Sequence, residues 1–147
     1  MRVLVLHGPN LSLLGEREPS IYGKITLAQL DEMVRRHGEG LGLEIRSFQS
    51  NHEGALIDEL HANRRWMQAL VINAGAYTHT SYALRDAIAA VAVPAYEVHL
   101  SDISAREPWR RVSVIEDVCV AKIMGKGVGS YLAALDRIAD AAAKTGA

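Results

Sequence analysis

Arg17 and Tyr22 share GEREPSIYG, residues 15–23, a mostly polar stretch bracketed by Gly15 and Gly23. A free phenol ionises near pH ~10, so only about one in a thousand is phenolate at pH 7. A guanidinium within ~4–6 Å lowers a neighbouring pKa by ~1–3 units. A loop that hinges at its two glycines and shuts over a pocket would turn Tyr22 into a usable base, and excluding water would strengthen the pairing. Glu97-Val-His99 offers the complementary acid. Residues i and i+2 of a strand share a face, so the carboxylate can hold one imidazole nitrogen and leave the other to exchange a proton. Arg106 and Arg110 lie one helical turn apart and suit an anionic substrate. Each feature also has a plainer reading. The loop could be a surface connection, Glu97 and His99 a surface pair, and the arginines a solvated stripe. Asn10 and Asn73 could be turn residues bonding their own backbone, and His79 a cap.

The elements that carry these groups alternate along the chain. Val3–Leu6 is a short apolar run closed by Gly8-Pro9-Asn10, which reads as a buried strand ending in a loop. Thr26 and Gln29 have capping-box spacing ahead of a helix with Leu27, Leu30, Met33 and Val34 on one face, ended by glycines. Leu43–Phe48 is a second strand. Ser50 and Glu53 form another capping-box pair, before a helix with Leu56, Ile57 and Leu60 on one side. Ala69–Asn73 is a third strand, followed by the loop GAYTHTS and a helix carrying Leu84, Ala87, Ile88 and Val91. Val93–Leu100 is a fourth strand that starts beyond Pro94. Ser104 and Glu107 are spaced to cap a short helical turn. The stretch 112–124 holds a fifth strand, with VCVAKIM its best core, and a last helix carries Leu132, Leu135, Ile138 and Ala142. Five β-α repeats with continuous apolar strands predict an α/β fold: a doubly wound, flavodoxin-like sandwich with a five-stranded parallel sheet and helices on both faces.

In such a sheet, ligands bind beyond the carboxyl ends of the strands. That edge collects His7, Asn10, Arg17 and Tyr22 after the first strand, and Asn51 and His52 after the second. Asn73, Tyr77 and His79 follow the third, with Glu97, His99, Ser101, Arg106 and Arg110 at and after the fourth. The chain has no GxxxxGK[ST], no GxGxxG after its first strand and no GxSxG, which argues against a phosphate loop, a dinucleotide site and a hydrolase elbow. His52, His79 and His99 could in principle bind zinc, yet no HxH or HExxH spacing supports a metal.

The 147 residues suit one domain, residues 1–147, and 16 basic against 17 acidic side chains give a net charge near zero. Nothing in that balance asks for nucleic acid or an anionic membrane surface. No apolar run is long enough to span a membrane, and the N-terminal stretch is broken too soon for a signal peptide. With the single Cys119, a reducing cytoplasm is the expected setting.

HGPNLSLLGEREPSIYG, SNHEGALIDELH, INAGAYTHTSYALRDA and EVHLSDISAREPWRR together closely resemble the type II 3-dehydroquinate dehydratases, in register over essentially the whole chain. The resemblance implies reversible dehydration of 3-dehydroquinate to 3-dehydroshikimate, with neither metal nor organic cofactor, in a dodecamer built from trimers. By the same resemblance Tyr22 matches the base at C2, Arg17 the lid arginine, and Asn10 the residue holding a water against the enolate. His99 matches the acid for the departing C1 hydroxyl, and Glu97 its orienting partner. Asn73, His79 and Arg110 match contacts to substrate hydroxyls. Leu100 and Ser101 match the carboxylate-binding step, Arg106 a second arginine near the base, and Asp86 a residue reaching a neighbouring subunit's site. No lysine lies in these motifs, so a Schiff-base route lacks a nucleophile and an enolate route is expected.

Three positions depart from the family pattern: His7 replaces a usual Asn, Ser104 a common His, and Lys122 a small residue. Ser104 is expected to alter the surroundings of Arg106, and Lys122 to bear on assembly. These departures keep open a non-catalytic, small-acid-binding paralogue, although a sensor has no need to retain Tyr22, Arg17 and His99 together. The motifs fit aromatic biosynthesis and quinate breakdown equally, since both use the same step.

Overall fold

The computed structural model describes residues 1–16, 19–22 and 24–146, apart from the side chain of Tyr22. Arg17, Gly23 and the Tyr22 phenol, the parts of the expected lid that carry its chemistry, lie outside the described residues.

Five strands form one sheet: β1 (Arg2–His7), β2 (Glu44–Gln49), β3 (Ala69–Asn73), β4 (Ala95–Val98) and β5 (Ala121–Ile123). Their order is β2-β1-β3-β4-β5 and every pair is parallel. The helices are α1 (Pro19–Tyr22), α2 (Leu27–Gly40), α3 (Glu53–Asn63), α4 (Tyr82–Val91) and α5 (Val128–Thr145). Side chains alternate across the sheet, and that alternation separates two cores. Val3, Val5, Ala69, Val71, Tyr96 and Val98 face Leu30 and Val34 of α2 and Tyr131, Leu135 and Ile138 of α5. Leu4, Leu6, Leu70, Ile72 and Ala95 face Leu56 and Leu60 of α3 and Leu84 and Ile88 of α4. The expected doubly wound sandwich is therefore present, and strand order reverses between β1 and β3, where such folds open a crevice.

Local expectations fared unevenly. The first capping box forms: Thr26 Oγ1 accepts from the Gln29 N–H at 3.2 Å, and Gln29 Oε1 accepts from the Thr26 N–H at 2.9 Å. The Ser50–Glu53 box does not. The helix begins only at Glu53, so Ser50 Oγ accepts from the His52 N–H at 3.0 Å, and the Glu53 carboxylate takes the Ser81 hydroxyl instead. Ser81 is the cap of α4, accepting from the Leu84 N–H at 2.9 Å. The Ser104–Glu107 box also fails, because Pro108 splits that stretch into two 3-10 turns, Ile103–Ala105 and Pro108–Arg111. Asp102 caps the first, accepting from the Ser104 N–H at 3.0 Å.

Met33, expected on the buried face of α2, is 43% exposed, while Leu30 and Val34 carry the packing. The fifth strand is much shorter than the stretch that contains it. Glu116–Val118 forms a 3-10 turn, and Val112 and Val120 face outward, leaving three residues to pair with β4.

Candidate active site

The loops after β1 and β3 interlock, and that contact places the first two polar groups of the site. The Gly8 N–H donates to the Asn73 carbonyl at 2.7 Å. A Cβ on Gly8 would lie 2.3 Å from the Ala74 oxygen, so only glycine lets the two backbones pass this closely. Gly75 returns the contact at φ +59°, with its Cβ position 3.0 Å from the Pro9 oxygen. Asn10 follows in the left-handed region at φ 68°, a conformation that asparagine tolerates better than most residues. Its N–H donates to Asn51 Oδ1 at 3.0 Å. Asn51 in turn accepts from Gln49 Nε2 at 3.1 Å, and its carbonyl accepts the Tyr77 hydroxyl at 2.8 Å. Asn51 and Tyr77 thus brace the loop from behind.

A cleft opens above these loops, lined by Asn10, Asn73, His79, His99, Leu100, Ser101, Arg106 and Arg110 among others. The chain's topology brings eight of the expected site residues to one place. Asn73 serves its own turn as well, since its Oδ1 accepts from the Gly75 N–H at 3.2 Å. The Asn10 side chain caps nothing. Glu97 is fully buried behind the cleft, and Asp86 is exposed on α4 away from it. His52 is exposed at the start of α3 and does not line the cleft either.

Glu97 and His99 are joined as their spacing implied. His99 Nε2 meets Glu97 Oε2 at 2.5 Å, which leaves Nδ1 for the cleft. The other carboxylate oxygen accepts the Ser113 hydroxyl at 2.8 Å, a partner that no sequence pattern announced. With both oxygens engaged, the carboxylate cannot swing, and the imidazole it holds is fixed in turn.

His79 is oriented by a different device. Its Nδ1 donates to the Val112 carbonyl at 2.6 Å, and its ring meets Trp109 edge-on, with centroids 5.4 Å apart. Burial lowers its pKa, outweighing the help of that carbonyl, with the nearby His99 and Arg110 adding to the fall. A neutral His79 with its proton on Nδ1 offers Nε2 as an acceptor for a hydroxyl. The guanidinium of Arg110 lies over the Trp109 ring at 4.1 Å, and its Nε donates to Glu107 Oε2 at 2.8 Å. Arg106, 12% exposed, approaches the same carboxylate at 3.8 Å. The two arginines give the cleft a cationic wall.

The backbone after β4 is pinned by the loop beyond β5. The Gly127 N–H donates to the Leu100 carbonyl at 3.0 Å, and the Gly125 N–H to the Ser101 carbonyl at 3.1 Å. A planar trans peptide turns its N–H opposite to its carbonyl, so the Ser101 N–H points away from that loop. This wall can donate to an anion through backbone and hydroxyl together.

The three departures are accounted for locally. His7 does not join the cleft. It is fully buried on the α2/α5 side of the sheet, between Asp31 and Tyr131. Ser104 donates its hydroxyl to Asp102 at 2.5 Å. Lys122, beside Glu97 in the β4–β5 register, pairs with Glu116 at 2.9 Å, so its charge is met within the chain. Among the described residues, no group of three or more His, Cys, Asp or Glu side chains is placed to hold a metal ion. A held imidazole, amides, a neutral histidine and two guanidiniums around one crevice suit proton transfer on a small, hydroxylated anion.

Comparison with known proteins gives the same direction. The sequence profile described as "Dehydroquinase class II" matches residues 1–139. The 3-dehydroquinate dehydratase of Ruegeria pomeroyi is 53% identical over 93% of this chain and 92% of its own length. The catabolic 3-dehydroquinase 1 of Aspergillus terreus is 49% identical over 93% of this chain and 91% of its own. Among solved structures, the type II dehydroquinase from Butyrivibrio crossotus superposes with a TM-score of 0.92 at 43% identity, covering 94% of this chain and 97% of that one.

Proposed function

The chain belongs to the class II dehydroquinase family, and from that premise we infer how its cleft carries out the dehydration of 3-dehydroquinate to 3-dehydroshikimate. One observation carries the assignment of roles: an imidazole held by a buried carboxylate faces a crevice flanked by two arginines. In this reading Tyr22, with Arg17 and Arg106 nearby, takes the C2 proton, and the electron pair moves to the C3 ketone oxygen. A water held by Asn10 steadies the enolate. The pair then returns to form the C1–C2 double bond, and the C1 hydroxyl leaves as water with a proton from His99 Nδ1. Glu97 orients His99, worth about 10²–10⁴-fold for a positioned acid. Leu100 and Ser101 hold the substrate carboxylate, and Asn73, His79 and Arg110 its hydroxyls.

The same reading makes residues 1–147 a single catalytic domain that needs no metal or organic cofactor. It gives Asp86 a place at a neighbouring subunit's site, in a dodecamer of trimers working in the cytoplasm. No helix among the described residues is long and apolar enough to cross a membrane.

The test is the ultraviolet absorbance of the conjugated enone after 3-dehydroquinate is added, with and without chelator. Native protein is expected to turn over equally in both. Tyr22→Phe should bind substrate yet lose nearly all turnover, and His99→Ala should lose kcat far more than affinity. Native-like kcat in Tyr22→Phe would remove the proposed base, and loss of activity with chelator would replace this mechanism with a metal-dependent one.

A further inference from the structure

His7 and Asn73 are register partners on adjacent strands, so their side chains leave the sheet on the same face. Tyr131 of α5 descends onto that face. Its oxygen lies 3.0 Å from His7 Nδ1, and its ring is tilted 41° to the imidazole. His7 Nε2 lies 2.7 Å from Asp31 Oδ1 on α2. His7 and Tyr131 are both 0% exposed, while the Asp31 side chain is 35% exposed. None of these three lines the cleft, yet Asn73 does.

We propose that Asp31, His7 and Tyr131 form a positioning relay that fixes the orientation of the Asn73 carboxamide in the cleft. Hydrogen-bond direction links the four groups. Asn73 Oδ1 is already engaged by the Gly75 N–H, so the amide presents its NH₂ to its other neighbours. Asn73 and His7 share this face with Tyr131 packed against it, and the amide opposes the rise that burial imposes on the phenol, as an N–H directed at its oxygen does. With its oxygen accepting, Tyr131 sends its own proton to His7 Nδ1. The imidazole proton then sits on Nε2, facing the carboxylate of Asp31, which can only accept. Every donor meets an acceptor along the line Asn73 to Tyr131 to His7 to Asp31.

The opposite tautomer breaks that order. A proton on His7 Nδ1 would face the phenol, and the Tyr131 hydroxyl would turn toward the Asn73 NH₂, donor against donor. Tyr131 is closed to solvent, so no water reaches its hydroxyl to relieve the conflict, and the amide would have to rotate out of its place in the cleft. A half-exposed carboxylate on α2 therefore governs which way a cleft amide points. His7 is the element that transmits it, because its imidazole accepts at one ring nitrogen while donating at the other. The relay rests on the reading that Asn73 contacts the substrate.

Long-range ¹H–¹⁵N correlation spectra of the native protein show which imidazole nitrogen bears the proton. The Nε2–H form is expected at His7, and the Nδ1–H form would overturn the relay whatever the enzyme's activity. Because His7 and Tyr131 are core residues, the kinetic arm uses the half-exposed end. Asp31→Ala should blur the His7 tautomer and raise KM for 3-dehydroquinate about ten-fold, with kcat within about three-fold, since a contact made alike in ground and transition states acts on KM. Asp31→Asn keeps an acceptor oxygen at the same place and should restore most of both. A KM within two-fold of native in Asp31→Ala, or no recovery in Asp31→Asn, would overturn the relay. Absence of turnover in the native protein would instead strike the functional reading, and the tautomer measurement would still decide the relay.

Discussion

Gly8→Ala tests whether the interlocked loops, rather than the strands beneath them, set the geometry of the site. The new Cβ would sit 2.3 Å from the Ala74 oxygen and 2.4 Å from its carbonyl carbon. Non-bonded heavy atoms settle at about 3.5–4.0 Å, so one backbone must retreat by roughly 1 Å. The obstacle is main chain on both sides, so no side-chain rotamer absorbs the strain. Overpacking of this kind costs about 1–3 kcal/mol. The 2.7 Å bond from Gly8 N–H to the Asn73 carbonyl stretches at the same time, which adds about 0.5–1.5 kcal/mol. A total of about 1.5–4.5 kcal/mol should lower the urea midpoint clearly without unfolding the protein. The effect on turnover should be larger, because the parting loops carry Asn10 and Asn73, and a 1 Å misplacement can cost about 10²-fold. Gly54→Ala is the control: it lies on α3 with nothing within 4 Å of its Cβ position, and should be neutral or mildly stabilising. The assay pairs urea denaturation with kcat/KM from enone absorbance. If Gly8→Ala kept a native urea midpoint and turnover within three-fold, the interlock would not be what holds the site.

Two further outcomes follow from single contacts. Ser113→Ala frees one oxygen of buried Glu97; losing a hydrogen bond to a charged group, about 1.5–3 kcal/mol, should lower kcat ten-fold or more while KM changes little, and an unchanged kcat would remove Ser113 from the support of the acid. Burial, with help from the nearby Glu97, Asp117 and Glu116 charges, pushes the Cys119 thiol up to about 12. On the order of one thiol in ten thousand is then thiolate at pH 8, so a disulfide reagent should label native protein far more slowly than urea-unfolded protein, and equal rates would contradict that burial.

The fold was most legible where one signal had no competitor. β1 and β3 are continuous apolar runs closed by turn residues, and the structure places them close to where the pattern does. β2, at one edge, was read to within a residue, but the other edge was less legible: the three residues of β5 lie within an apolar stretch that mostly does other things. Capping boxes show the same lesson. Thr26–Gln29 closed because nothing else claimed either side chain, whereas Glu53 was taken by Ser81 from 28 residues away, and Ser104 by Asp102 two residues before it. A local spacing states what can form, and long-range partners decide whether it does.

The site divides along the same line. Glu97 and His99 could be paired from the sequence because period-two alternation is local, but Ser113, the second anchor of Glu97, comes from an irregular loop that no periodicity marks. His7 shares the parity of Val3 and Val5, so the alternation that assigns them to the α2/α5 core assigns it there too. Its partners were out of reach, 24 and 124 residues along the chain. This parity has a consequence for how the site can fail. Glu97 follows the face of Leu70 and Ile72, whereas Asn73 follows that of Val71. The acid is braced from the α3/α4 layer and the cleft amide from the α2/α5 layer, with the sheet between them. Damage to the first brace should therefore appear in kcat and damage to the second in KM. The two defects should combine nearly independently, because no side chain belongs to both supports.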